Sequence, residues 1–149
     1  MRFSYARLRV RQPVISLGGR GERPRPLVPV TLLGPAGVHV EQAVLDTGAD
    51  DTIFHESIAT KLGVPLTAAP QGAAAGIAGV PIAVRYAEVT LRLADNLERR
   101  EWRAWVGFTP VNLRRPLLGF AGCLQFFDAQ FFGEHEEVEL ITNSLYPGT

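Results

Sequence analysis

Short runs of alternating apolar and polar residues, punctuated by glycine and proline, predict an all-β domain with two short helices. Three stretches carry that prediction. Arg85, Ala87, Val89, Leu91 and Leu93 form a mainly apolar set that alternates with Val84, Tyr86, Glu88, Thr90 and Arg92, as in a half-buried strand. Trp102, Ala104 and Val106 alternate in the same way with Arg103, Trp105 and Gly107. Ala43-Val44-Leu45 leads into the polar loop Asp46-Thr47-Gly48-Ala49-Asp50-Asp51-Thr52, and Ile53-Phe54 leaves it.

The remaining elements follow in order. Residues 1–26 read as a basic arm, in which seven arginines face only Glu22. Phe3, Tyr5, Leu8 and Val10 suggest a short strand there, either at an edge of the body or in a dimer contact. Gly18-Gly19-Arg20-Gly21 is a turn; no Gly-Lys-Ser/Thr follows it, so it is not a phosphate loop. Residues 27–149 form the body. Val28 to Leu33 is a strand, with Pro29 favouring an edge or strand start. Gly34-Pro35-Ala36-Gly37 turns the chain, and Val38 to Leu45 returns it. Ser57 to Leu62 has helical spacing, with Ile58 and Leu62 on one face, Gly63 as C-terminal cap and Pro65 as stop. Thr67 to Ala75 is small and weakly patterned, and reads as a mobile loop. Gly76-Ile77-Ala78-Gly79 suits a hairpin tip. Leu117-Leu118-Gly119 closes an apolar strand, a second helix is expected over Phe120 to Phe126, and Gly133-Glu134 divides a final hairpin.

Composition narrows the function. The chain has 149 residues with 46% hydrophobic content, enough for one domain with a core. Formal net charge is zero, so bulk electrostatics point to neither a nucleic acid nor a membrane partner. The lone cysteine, Cys123, excludes a disulfide within the chain and a cysteine-based zinc site, and His39, His55 and His135 lack ligand spacing. No apolar run reaches the ~18 residues of a membrane span. The arginine-bearing N-terminal stretch has no apolar segment after it, so a secretory signal is not expected. The expected location is the cytoplasm.

The loop at Asp46 is where chemistry is expected. A carboxylate there is costly unless hydrogen-bonded, Thr47 brings a hydroxyl, and Gly48 permits close backbone approach. An Asx-turn closing a hairpin is the plainer reading of Asp-Thr-Gly alone. The flanking motifs favour another. Leu45 to Thr52 resembles the catalytic loop of the retropepsins, the single-domain aspartic proteases of retroviral type. Gly76-Ile77-Ala78-Gly79 followed by Val84-Arg85-Tyr86 is similar to their glycine-rich flap, Val106 to Asn112 to the wall of their substrate site, and Leu117-Leu118-Gly119 to the element before their terminal helix. The four features occur in the family's order.

The resemblance implies a closed β barrel, a polypeptide substrate, and neither cofactor nor metal. It implies that Asp46 is catalytic, with Thr47 bonding across to a partner loop and Gly48 approaching the substrate backbone. Asp50 would bind substrate main chain, and Asp51 a side chain. Ile77, Ala78 and Gly79 would close over the substrate, while Phe108, Pro110 and Val111, with Val80, would wall the pocket. Two departures stand out. Phe120-Ala121 occupies the place of the family's Arg and Asn or Asp, so Asp50 loses its usual cation unless Arg114 or Arg115 substitutes. The tail from Phe126 to Leu140 also looks more like the helix-then-hairpin ending of cellular retropepsin-like proteases.

Catalysis by this route needs two carboxylates sharing a proton. Of the five aspartates, only Asp46 sits in Asp-Thr-Gly. The second carboxylate is therefore expected from another copy, in a homodimer with the site on its axis. The rival readings are a catalytically silent dimeric peptide-binding module and a plain β-barrel scaffold. A serine or cysteine hydrolase is disfavoured, because Ser57 and Cys123 have no histidine in motif context.

Overall fold

A computed structural model describes residues 1–76 and 79–149. Its strands are β1 (Arg2–Ser4), β2 (Ala6–Val14), β3 (Arg20–Arg25), β4 (Leu27–Gly34), β5 (Gly37–Leu45), β6 (Ile53–His55), β7 (Gln71–Ala75), β8 (Pro81–Ala94), β9 (Arg99–Thr109), β10 (Leu117–Leu118), β11 (Phe127–Phe132) and β12 (Glu137–Thr142). Among the described residues one α-helix forms, α1 (Glu56–Leu62). Strands β4, β5, β10, β6, β9 and β8 pair in that order, and β4 pairs back to β8, which closes the ring into the expected barrel. Strand β7 continues the sheet beyond β8.

Period-two burial explains why these segments are strands. On β8, Ala87, Val89, Leu91 and Leu93 point inward, and on β9 Trp102, Ala104 and Val106 do the same. Val28, Val30 and Leu32 of β4 meet them from the other side of the ring, all fully buried. Helix α1 covers one end of this core with Ile58, Ala59 and Leu62. It starts at His55, whose ring nitrogen accepts from the Ser57 N–H at 3.2 Å, and stops at Gly63 (φ 69°).

Two expectations need correction. No α-helix forms over Phe120 to Phe126; the chain makes only a 3₁₀ turn at Leu124–Phe126. Gly122 takes φ 85°, a left-handed step that interrupts any helix there, and its carbonyl instead accepts from the Trp102 indole N–H at 2.9 Å. Thr67 to Ala75 is not wholly loop, because Gln71–Ala75 is β7, paired with residues 81–85 of β8. Its small side chains left no alternation to read. The pairing rests on backbone hydrogen bonds, and Tyr86 lies over Gly72, where a Cβ would come within 2.8 Å of its ring.

The basic first segment divides between body and hairpin. Strand β1 adds to the β11–β12 hairpin along β12, and Met1 and Phe3 are buried in the core. Strands β2 and β3 form a separate two-stranded hairpin. Arg7 (2.8 Å) and Arg20 (3.6 Å) both reach Glu136, in the turn between β11 and β12, and fasten it there.

Phe3→Ala should destabilise the fold by about 3 kcal/mol in denaturant titration, the usual cost of emptying a buried aromatic site. A change within about 0.5 kcal/mol would mean that residue 3 sits in a solvated arm.

Candidate active site

Strand β5 delivers Asp46, and the loop it opens is braced by backbone rather than by side chains. Strand β10 lies between β5 and β6, with Leu118 beside Leu45 in parallel and Leu117 opposite Ile53 in antiparallel. The Asp46 N–H donates to the Leu118 carbonyl at 3.1 Å. Past β10 the chain follows the loop itself. Phe120 N–H donates to Ala49 at 2.9 Å, Ala121 N–H to Asp50 at 2.8 Å, and Thr52 N–H back to Ala121 at 3.0 Å. Gly119 makes this approach possible, since a Cβ there would press on the Asp51 carbonyl and come within 2.7 Å of the Ala49 carbonyl oxygen.

Asp46 is half-buried, while Thr47 and Gly48 are exposed. The Gly48 N–H donates to Asp46 Oδ1 at 2.9 Å, and Ala49 N–H donates to the Asp46 carbonyl at 3.2 Å. The Asx-turn is therefore present, and it fixes the carboxylate instead of merely closing a hairpin. A fixed, water-accessible carboxylate can accept a proton from water.

Asp50 is exposed, and neither Arg114 nor Arg115 pairs with it among the described residues. Asp51 has a partner that sequence reasoning missed: Tyr86 Oη donates to Asp51 Oδ2 at 2.9 Å. Burial, and then the hydrogen bond to Asp51 and its charge, push the Tyr86 phenol from 10.0 up to about 12. Tyr86 stands on β8, the returning arm of the hairpin expected to form the flap, so this bond ties that strand to the loop. No local signal marks it, because the two residues meet only where β8 and β6 pair on either side of β9 at Gly107.

The other expected site residues are spread around this loop. Strands β7 and β8 are the arms of the hairpin expected to form the flap, and Gly79 N–H donates to the Gly76 carbonyl at 2.8 Å. Ile77 and Ala78 lie outside the described residues. Pro110 and Val111 are exposed after β9, as is Val80 before β8. Phe108 requires correction as a pocket wall: it is 1% exposed and packs on Phe54 with ring centroids 6.3 Å apart, so it backs the wall from inside the core. Cys123 is fully buried and its thiol is pushed up to about 12 by burial, which keeps it from acting as a nucleophile. Among the described residues, no group of three His, Cys, Asp or Glu side chains is placed to hold a metal. No helix among them is long and apolar enough to cross a membrane.

Asp46 also lines a cleft of about 1420 Å³ between the β2–β3 hairpin and the barrel. Leu8 and Val10 of β2 contribute one apolar wall, and Val44 and Leu117 the other. A family model described as aspartyl protease matches residues 28–121, a span that runs from β4 through the loop brace at Ala121. No curated protein matches the chain.

Gly119→Ala should destabilise the fold by about 2 kcal/mol or more in thermal or denaturant unfolding, because the new methyl meets backbone that cannot swing aside. Tyr86→Phe should change stability at high pH. The raised phenol favours the folded state fully below pH 10.0, and that contribution is lost as pH rises toward about 12. Denaturation midpoints of the variant should therefore fall less steeply than those of wild type across that window. Identical slopes would mean that Tyr86 is not held in its buried position against Asp51 in solution.

Proposed function

This chain belongs to the aspartyl protease family, and on that premise we propose that it is an endopeptidase whose active site pairs Asp46 from each chain of a homodimer. The observation that carries the reading is the Asp46 carboxylate, held by the Gly48 N–H on a loop braced along its length by residues 118–121, with no second such loop in the chain. Family membership implies a peptide substrate.

A peptide carbonyl is a poor electrophile and water a poor nucleophile, so the site must supply both a base and an acid. Two Asp46 carboxylates meeting on a two-fold axis share one proton, because like charges at about 3 Å cannot both ionise. Aspartic proteases are themselves the established instance of this splitting, and the resulting pKa values belong to the pair. The ionised member takes a proton from water as the water oxygen attacks the carbonyl carbon. The protonated member donates to the carbonyl oxygen. Return of a proton to the amide nitrogen lets the C–N bond break. Thr47, exposed beside Asp46, bonds across to the facing loop and holds both rigid. Gly48 lies against the substrate backbone, and Asp50 and Asp51 hold the bound peptide beyond it. The flap carrying Ile77, Ala78 and Gly79 closes over the peptide, with Pro110 and Val111 at the pocket rim.

A catalytically silent dimeric peptide-binding module is the second reading. One observation favours it: Phe120 stands where the family has an arginine, and Asp50 has no ion pair among the described residues. Backbone hydrogen bonds from Phe120 and Ala121, together with Tyr86 on Asp51, brace the loop in its place.

Asp46→Asn should lower peptide turnover by about 10³-fold or more with circular dichroism unchanged, since the amide cannot take the proton. Equal turnover by both proteins would end the enzyme reading; absence of turnover in both would favour the silent module. Specific activity should also fall on dilution in step with dimer dissociation, followed by sedimentation on the same samples. Thr47→Ala should move that loss to higher protein concentration. Activity that stays flat while the protein is monomeric would overturn the shared site.

A further inference from the structure

Of the seven arginines in residues 1–26, three have carboxylate partners: Arg2 on Glu139, and Arg7 and Arg20 on Glu136. The other four, Arg9, Arg11, Arg23 and Arg25, have none within 4.0 Å among the described residues, and all four line the cleft beside Asp46. Arg114 and Arg115 line it from the barrel side, also without ion pairs among the described residues. Asp46 is the one carboxylate among the lining residues. The formal net charge of the whole chain is zero, so this cleft is a local concentration of positive charge against a neutral background.

We propose that this cleft continues the peptide channel from Asp46 on the side away from the flap, that it takes acidic stretches of the bound chain, and that the protein therefore selects substrates carrying Asp or Glu beside the bond presented to Asp46. The inference rests on the protease reading for its bond-breaking step but not for its charge selectivity. Arginine forks match carboxylates bidentately, and arginines on both walls can hold acidic side chains along an extended chain. Between them, Leu8, Val10 and Leu117 give the rest of the peptide an apolar surface. A nucleic acid fits less well, because Asp46 in the same lining would face its phosphates with like charge. A peptide instead offers Asp46 a neutral amide and offers the arginines its carboxylates.

The test compares peptides that differ only by Asp/Glu against Asn/Gln at positions flanking a cleavable bond. Binding is measured by fluorescence polarisation on full-length Asp46→Asn protein, and turnover on wild type. The acidic members should bind and turn over about tenfold better or more, the factor expected for one charge-assisted hydrogen bond. That ratio should shrink as salt rises. In Arg23→Gln/Arg25→Gln, and separately in Arg114→Gln/Arg115→Gln, it should fall towards one, with circular dichroism confirming the fold of each. Turnover without any charge preference overturns this inference and leaves the protease reading standing. Charge-selective binding without turnover supports the channel and overturns the protease reading. Variants that keep the preference but lose the dimer on sedimentation would show that the cleft holds a second copy, and stronger binding of a single-stranded oligonucleotide than of the acidic peptide would assign it to nucleic acid; either result overturns the proposal.

Discussion

Everything at the site depends on β10 lying between β5 and β6. The loop from Asp46 to Thr52 leaves one strand and enters the other, so those strands diverge and cannot satisfy each other. Strand β10 supplies both missing edges, parallel to β5 and antiparallel to β6. Buried backbone groups left unpaired there would each cost about 1–3 kcal/mol. Gly119 then lets the chain continue along the loop instead of being pushed away from it, and backbone bonds from residues 118–121 clamp it. The carboxylate of Asp46 is thus positioned by main-chain geometry. That is a stiffer support than long side chains give, because fewer rotatable bonds separate the brace from the braced group.

The same economy explains how the loop stands without the family's arginine. An arginine would clamp Asp50 through a side chain. Here Ala121 N–H takes the Asp50 carbonyl, and Tyr86 takes the Asp51 carboxylate. The tyrosine differs from the expected arginine in one respect: it stands on β8. The loop and β8 are therefore joined within one chain by a side-chain hydrogen bond.

The β2–β3 hairpin has a parallel logic. A pair of strands alone is marginal in water, so something must hold it against the body. Glu136 does so by receiving both Arg7 and Arg20 while largely shielded from solvent. Exposed ion pairs contribute little stability, but two arginines converging on one shielded carboxylate set an orientation. That orientation turns the remaining arginines of the hairpin towards the cleft at Asp46.

The sequence by itself determined the strands whose side chains alternate, such as β8 and β9, because period-two burial is written in residue type. It also determined α1, whose cap at Gly63 and apolar face are local features, and the polar loop that Asp46 opens, since Asp-Thr-Gly between apolar strands is contiguous. It could not determine β7, where alanine and glycine carry no pattern, nor the failure of the helix at Gly122, whose left-handed backbone is held by Trp102 from another strand. Phe108 illustrates the same limit within the site, for an apolar residue beside a pocket motif can face either the pocket or the core. Tyr86 on Asp51, Arg7 and Arg20 on Glu136, and the gathering of arginines around Asp46 join residues far apart in sequence. Only tertiary assembly brings such residues together. Tyr86 reaches Asp51 because β8 and β6 both pair with β9 at Gly107. Glu136 meets its arginines where the β11–β12 turn lies against the β2–β3 hairpin. Such contacts are fixed by the register and packing of whole strands and not by any neighbouring residue.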